Sequence, residues 1–299
     1  MKLRNRRISA LAAVTLVAGL ALTACGGSDS DGGSDGASGG GGGGDLSVTY
    51  LPKNLGNPYF DISDAAGKKA VESFGGTYEE VGPDAASPDA QVPFINTAAQ
   101  QGVSALVVSA NDPDALCDAL KEASDAGTKI VTFDSDTNPD CRDLYVQAAT
   151  SEGIAKKQVD LIAEQIGDAG EVAILSAAAN ATNQNAWIDL MKKDLADNHP
   201  NIKLVDTVYG DDDDQTSFDK TAALLQTYPN LKGIVSPTTV GIAAAARYIQ
   251  TSDFKGKVQV TGLGTPNQMR DYVEDGTVTA FALWNPADLG DIRETLPEK

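Results

Sequence analysis

Ammonium, carboxylate, amide and hydroxyl side chains recur beside aromatic rings in a few short polar stretches of this chain. Lys53, Asn57, Tyr59 and Phe60 fall within Pro52-Lys53-Asn54-Leu55-Gly56-Asn57-Pro58-Tyr59-Phe60. Asp134 and Asp136 follow the apolar run Lys129–Phe133, and Asn183 and Gln184 lie downstream of the run Glu171–Leu175. Pro237 and Thr239, then Thr265, then Trp284 and Asn285 follow three later runs. Carboxylates and amides can each engage neighbouring hydroxyls, while aromatic faces cover the apolar C–H faces of a sugar ring. This is chemistry for holding a small polyol.

The same residues are poor material for catalysis. Asp134 and Asp136 are two apart, so along an extended segment they share a face, and no second acid stands opposite them. The single histidine, His199 in Asp197-Asn198-His199-Pro200, reads as a solvated helix end. Three cysteines and one histidine leave little for a zinc site. The acidic run Asp211–Asp214 lacks EF-hand spacing. It reads as a solvated turn, its carboxylates suited to the N-terminus of a helix over Gln215–Tyr228. Gly262-Leu263-Gly264-Thr265-Pro266-Asn267 lacks the third glycine of a dinucleotide fingerprint. No enzyme activity, metal or cofactor is expected.

The elements that must position these side chains alternate strand and helix. Candidate strands are Ser47–Leu51, Thr77–Val81, Ala105–Val108, Lys129–Phe133, Asp143–Gln147, Glu171–Leu175, Lys203–Val208, Gly233–Val235, Lys257–Thr261 and Thr279–Leu283. Helical stretches such as Asp112–Ala126, Ser151–Ile166 and Gln184–Asn198 lie between them. Near-continuous apolar strands suit sheets covered on both faces, and βα alternation implies parallel pairing with right-handed crossovers. Ten strands are many for one open sheet, so the chain is expected to be α/β with two sheets. The break falls near 148–150 and a return crossing near 280–283. In such sheets ligands bind beyond the carboxyl ends of the strands, which is where the polar stretches fall.

Composition narrows the partners. The chain has 299 residues and a net charge of −19, and its first seven residues contain cations but no acid. So acidic a body repels phosphate backbones and anionic lipid heads, which argues against nucleic acid. The basic start, the apolar run over 8–24 and Leu22-Thr23-Ala24-Cys25 resemble the signal and lipobox of bacterial lipoproteins. The resemblance makes Cys25 the lipidated first residue of a mature chain at the outer face of a cell membrane. Gly26–Gly44, almost wholly Gly, Ser and Asp, reads as a flexible linker spanning roughly 22–26 Å r.m.s.. Cys117 and Cys141 remain as an even pair in an oxidising compartment, where a bridge is expected to contribute about 3 kcal/mol.

From about Ser47 to Gly290 the chain resembles the type I periplasmic sugar-binding proteins of ABC importers. Asn57-Pro58-Tyr59-Phe60 is similar to the sugar-stacking motif of ribose-binding members. Phe133-Asp134-Ser135-Asp136-Thr137 and Cys141-Arg142 resemble the branch of rhamnose- and autoinducer-2-binding members. The runs Ser236–Ala246, Gly262–Arg270 and Ala282–Gly290 look most like the rhamnose branch. In the autoinducer-2 receptors, the ligand-contacting lysine, aspartate, glutamine and proline fall on Lys53, Asp134, Gln184 and Pro237. Those receptors carry aspartate and alanine where this chain has Asn183 and Thr239. The added amide and hydroxyl favour a fully hydroxylated deoxyhexose, rhamnose first, over autoinducer-2 or another pentose or deoxyhexose.

The resemblance implies two Rossmann-like lobes with parallel sheets joined by a multi-strand hinge. Expected boundaries are 45–148 with 281–299 for the first lobe and 149–280 for the second. Expected partners are a monosaccharide and the permease and ATPase subunits, with a monomeric binding protein touching the membrane only through its lipid. A sugar-responsive repressor shares the fold but would carry a helix-turn-helix where this chain has an export signal. Asn285 and Pro286 read as the cap and first turn of a helix whose apolar stripe runs through Leu289, Ile292 and Leu296. The family match fades at Asp291, which predicts a shortened C-terminus, lower stability and weaker binding than in longer relatives.

Overall fold

A computed structural model describes residues 46–291. The signal segment, Cys25, the Gly/Ser/Asp linker, Ile292 and Leu296 lie outside the described residues.

The first sheet is built from β1 (Ser47–Leu51), β2 (Thr77–Glu80), β3 (Ala105–Val108), β4 (Lys129–Phe133) and β5 (Leu144–Val146), in the order β2-β1-β3-β4-β5. Every pair is parallel. Helices α1 (Pro58–Ser73), α2 (Pro88–Gln101) and α3 (Cys117–Asp125) make the crossovers. Alternate residues of the central strands feed opposite faces, as the two-residue period of a strand requires. Leu106, Val108 and Ile130 join one buried cluster, while Ala105, Val107, Val131 and Phe133 join the other.

The second sheet is built the same way. Its strands are β6 (Gly170–Ser176), β7 (Ile202–Tyr209), β8 (Leu231–Ser236) and β9 (Gln259–Gly262), in the order β7-β6-β8-β9 and all parallel. Its helices are α4 (Ser151–Ile166), α5 (Thr182–Asn198), α6 (Asp214–Thr227), α7 (Thr239–Gln250) and α8 (Pro266–Glu274). Val172 and Ile174 pack on one side of β6, Ala173 and Leu175 on the other.

The expected tenth strand over 279–283 does not form. Leu263 and Ala282 make a single parallel bridge there. The Ala280 carbonyl, which a longer ladder would use, instead accepts from the Thr261 hydroxyl at 2.8 Å and the Gln165 amide at 3.1 Å. The chain passes from the first sheet to the second between Val146 and Ser151 and comes back through this segment. A last short helix, α9 (Pro286–Gly290), then packs against the first lobe, with Leu289 in the same cluster as Val48, Tyr50 and Phe133. Asn285 caps it, accepting from the Ala287 N–H at 3.2 Å. The α9–α1 approach depends on Gly290, where a Cβ would lie 1.8 Å from the Ser63 carbonyl oxygen.

Cys117 and Cys141 form a disulfide with Cα atoms 5.2 Å apart, tying the start of α3 to the loop after β4. His199 closes α5 and is less solvated than expected. Its side chain is 17% exposed, and its Nδ1 lies 2.6 Å from an Asp168 carboxylate oxygen.

Candidate functional site

The carboxyl ends of both sheets face one cavity, and each wall is placed by a loop that local sequence dictates. After β1, Asn57 caps α1 by accepting from the Tyr59 N–H at 3.1 Å, and Pro58 occupies the first helical turn. That start aims Tyr59 and Phe60 from the first turn of α1 into the cleft, where both line the cavity. Lys53 lies in the preceding loop and is 3% exposed. Its carbonyl is held by the Asn111 amide at 2.9 Å.

Asp134 follows β4 in the left-handed region, at φ 57°. Aspartate is among the few residues that tolerate this conformation. Its carboxylate accepts from the Tyr59 hydroxyl at 2.9 Å and the Ser109 hydroxyl at 3.0 Å. The Trp284 indole N–H donates in turn to the Tyr59 oxygen at 3.0 Å. Burial, reinforced by the charge of Asp134, pushes the Tyr59 phenol well above its ordinary pKa. The ring therefore stays a hydrogen-bond donor at any physiological pH.

The opposite wall comes from the second lobe. The first turn of α5 supplies Asn183 and Gln184. Gln184 is locked by its Oε1, which accepts from the Ser176 hydroxyl at 2.6 Å and the Ala177 N–H at 2.8 Å. Its amide nitrogen is left for other partners. Asn183 spans the cleft: Lys53 Nζ donates to its Oδ1 at 3.0 Å, and its Nδ2 donates to Asp134 at 3.4 Å. Pro237 enters from the loop after β8 and Thr239 from the first turn of α7. Gly262 lets the ends of β8 and β9 lie side by side beneath that loop, since a Cβ there would sit 1.9 Å from the Ser236 carbonyl oxygen. Trp284 stands edge-on to Tyr59 and to Trp187, with ring centroids 6.1 and 5.8 Å away.

Lys53, Asn57, Tyr59, Phe60, Asp134, Asn183, Gln184, Pro237, Thr239 and Trp284 thus share one cavity. Three other anticipated residues stand elsewhere. Asp136 is gripped by Arg142 through two bonds of 2.7 and 2.8 Å and faces a neighbouring recess with Tyr145. Thr265 turns its hydroxyl to Gln268, and Asn285 is spent on capping α9. The cavity also holds residues that were not among the expected ligand contacts: Trp187, Asp212, Thr238, Leu263 and Leu283. Trp187 had a signal, because it follows Asn183 by one helical turn and shares its face.

Asp212 corrects the reading of its acidic run as a solvated turn. Asp213 does cap α6, accepting from the Thr216 N–H at 2.7 Å, but Asp212 faces the cavity. Burial raises the Asp212 pKa, and the nearby charge of Lys53 opposes the rise. Away from the cleft, ligating atoms of Asp160, Asp194 and His199 lie within 4.8 Å of one another. Each is already engaged: Asp160 with Lys156 at 2.6 Å, Asp194 with Asn198 at 2.6 Å and His199 with Asp168.

Two parallel-sheet lobes closing on a polar cavity walled by aromatic rings define a two-lobed binding protein of the type I architecture. Residues 48–293 match the periplasmic binding protein domain, and the chain belongs to that family. Membership implies work outside the cytoplasm. Among the described residues no helix is long and apolar enough to cross a membrane. The chain is 54% identical to the crystal structure of a sugar ABC transporter from Actinomyces odontolyticus, over 82% of this chain and 80% of that one, with a TM-score of 0.63. It is 40% identical to an ABC transporter solute-binding protein from Clostridium phytofermentas with bound L-rhamnose, over 84% and 80%, with a TM-score of 0.81. It is 28% identical to LsrB from Clostridium saccharobutylicum in complex with AI-2, over 83% and 79%, with a TM-score of 0.79.

Proposed function

We propose that this chain is the substrate-binding lipoprotein of a carbohydrate ABC importer, holding rhamnose between its lobes and delivering it unchanged to a permease. The observation that carries this reading is the direct inter-lobe bridge, in which Asn183 of the second lobe bonds Lys53 and touches Asp134 of the first. A ligand shifts the lobes toward closure only through contacts it makes better in the closed state, so it must engage both walls. A hydroxyl-rich ring can do so, bonding Lys53 and Asp134 on one side and Asn183, Gln184 and Thr239 on the other. Tyr59, Phe60 and Trp284 supply the apolar faces. The likeness to the L-rhamnose-bound relative supports the choice of sugar.

In this reading Cys25 carries the lipid and Gly26–Gly44 is the tether. The lobes comprise 45–148 with 281–299 and 149–280, and the protein works as a monomer beside its permease and ATPase. AI-2 is the second candidate ligand because the LsrB relative holds it. Asn183 and Thr239 are the cavity residues that argue for the sugar instead. A thermal-shift panel of rhamnose, AI-2, ribose, allose and arabinose tests the choice. Rhamnose is expected to give the largest rise in melting temperature, and a larger rise with AI-2 would reverse the order.

A further inference from the structure

The four consecutive aspartates 211–214 would ordinarily point into solvent, and one of them, Asp212, is half-buried and turned onto the cavity. Asp211 and Asp212 both adopt the left-handed region, at φ 55° and 50°. Non-glycine residues hold that conformation at a cost, and keep it only where the surroundings dictate it. Here the turn brings Asp212 onto the cavity, where its carboxylate accepts from the Thr238 hydroxyl.

The consequence is a charge balance across the cleft. Two carboxylates line the cavity, Asp134 from the first lobe and Asp212 from the second, and Lys53 is the one cation among the lining residues. The nearby Arg142 is already committed to Asp136. A ligand that carried its own negative charge would enter a desolvated space with an excess of like charge, where such repulsion is poorly screened. A neutral polyol would instead find two strong acceptors, one on each wall, for its hydroxyl donors.

We propose that Asp212 is a specificity-determining residue that restricts this cleft to neutral polyols and excludes sugar acids and sugar phosphates. The proposal rests on the reading that the cavity holds a sugar. Calorimetric titration of the full chain with L-rhamnose and with L-mannuronate tests it, because the second carries a carboxylate where the first carries a methyl group. The unaltered protein is expected to bind rhamnose at least about 100-fold more tightly than the uronate, since like-charge juxtaposition costs several kcal/mol. Asp212→Asn keeps a residue that tolerates left-handed backbone. It should weaken rhamnose by roughly 10- to 150-fold, the value of a hydrogen bond to a charged group, while binding of the uronate holds or improves. Asp212→Ser serves the same comparison if the asparagine variant does not fold.

Asp212→Glu separates charge from shape: it loses rhamnose affinity yet still rejects the uronate. A rhamnose-to-uronate ratio unchanged by Asp212→Asn would overturn the role of Asp212 and leave the sugar reading standing. Absence of binding by any sugar to the unaltered protein would overturn both.

Discussion

Asp134 ties several elements together at the cavity, because its left-handed backbone turns the carboxylate toward Tyr59, Ser109 and Asn183 at once. That conformation also explains why Asp136 departs from expectation. Residues two apart share a face only along extended backbone, and the turn at Asp134 breaks that period. Arg142 then takes Asp136 away from the cleft. Asp134→Asn preserves the backbone preference and removes the charged acceptor. Sugar affinity should fall about 10- to 150-fold, or roughly 1.5–3 kcal/mol, in a calorimetric titration, and the unliganded protein should melt at a lower temperature because one amide oxygen cannot accept from Tyr59, Ser109 and Asn183 at once. Unchanged affinity would show that the sugar does not touch Asp134. Lys53, Tyr59, Asn183 and Gln184 were legible because each sits in a polar stretch just beyond an apolar strand. Asp212 was not, since its inward orientation comes from two successive left-handed residues that a run of aspartates does not announce.

The strands were legible where apolar residues run without interruption, as in β3, β4 and β6, since both faces of those strands are covered. The segment over 279–283 has a similar composition, but side chains of Thr261 and Gln165 claim the carbonyl that a strand would have paired. No local pattern reveals such competition. Gly290 makes a prediction for α9. A methyl group there must displace the Ser63 backbone, so Gly290→Ala should cost about 1–3 kcal/mol, read as a lower melting temperature.

The edge strand β2 carries a pH-dependent contribution. Partial burial and the charges of Asp64 and Asp61 push the Glu80 carboxyl up to about 7. A folded-state pKa above the unfolded one means stability that is present below the ordinary carboxylate range and lost as pH rises through about 7. Much of the Glu80 surface still meets water despite that burial, so solvent screens the effect and keeps it small. Glu80→Gln should shrink the fall in melting temperature between about pH 5 and pH 8, and an unaltered fall would place the titrating group elsewhere.

At the scale of the whole molecule, the two sheets are joined by the passage over 146–151 and the return over 280–285, and the cavity lies between them. Such a connection permits hinge closure, and the bonds from Lys53 and Asp134 to Asn183 are contacts that only a closed cleft can make. The sheets and their crossovers were legible from the βα alternation, and the position of the cavity followed from the rule that ligands sit beyond strand carboxyl ends. How tightly the walls approach one another was not legible, because it depends on contacts between residues 130 positions apart, such as Lys53 and Asn183. A sugar held between the lobes must draw them together, a movement that small-angle scattering of the full chain titrated with L-rhamnose reads out. A saturable decrease in radius of gyration is expected as the lobes close on the sugar. Scattering curves that stay superimposable up to saturating rhamnose would contradict it.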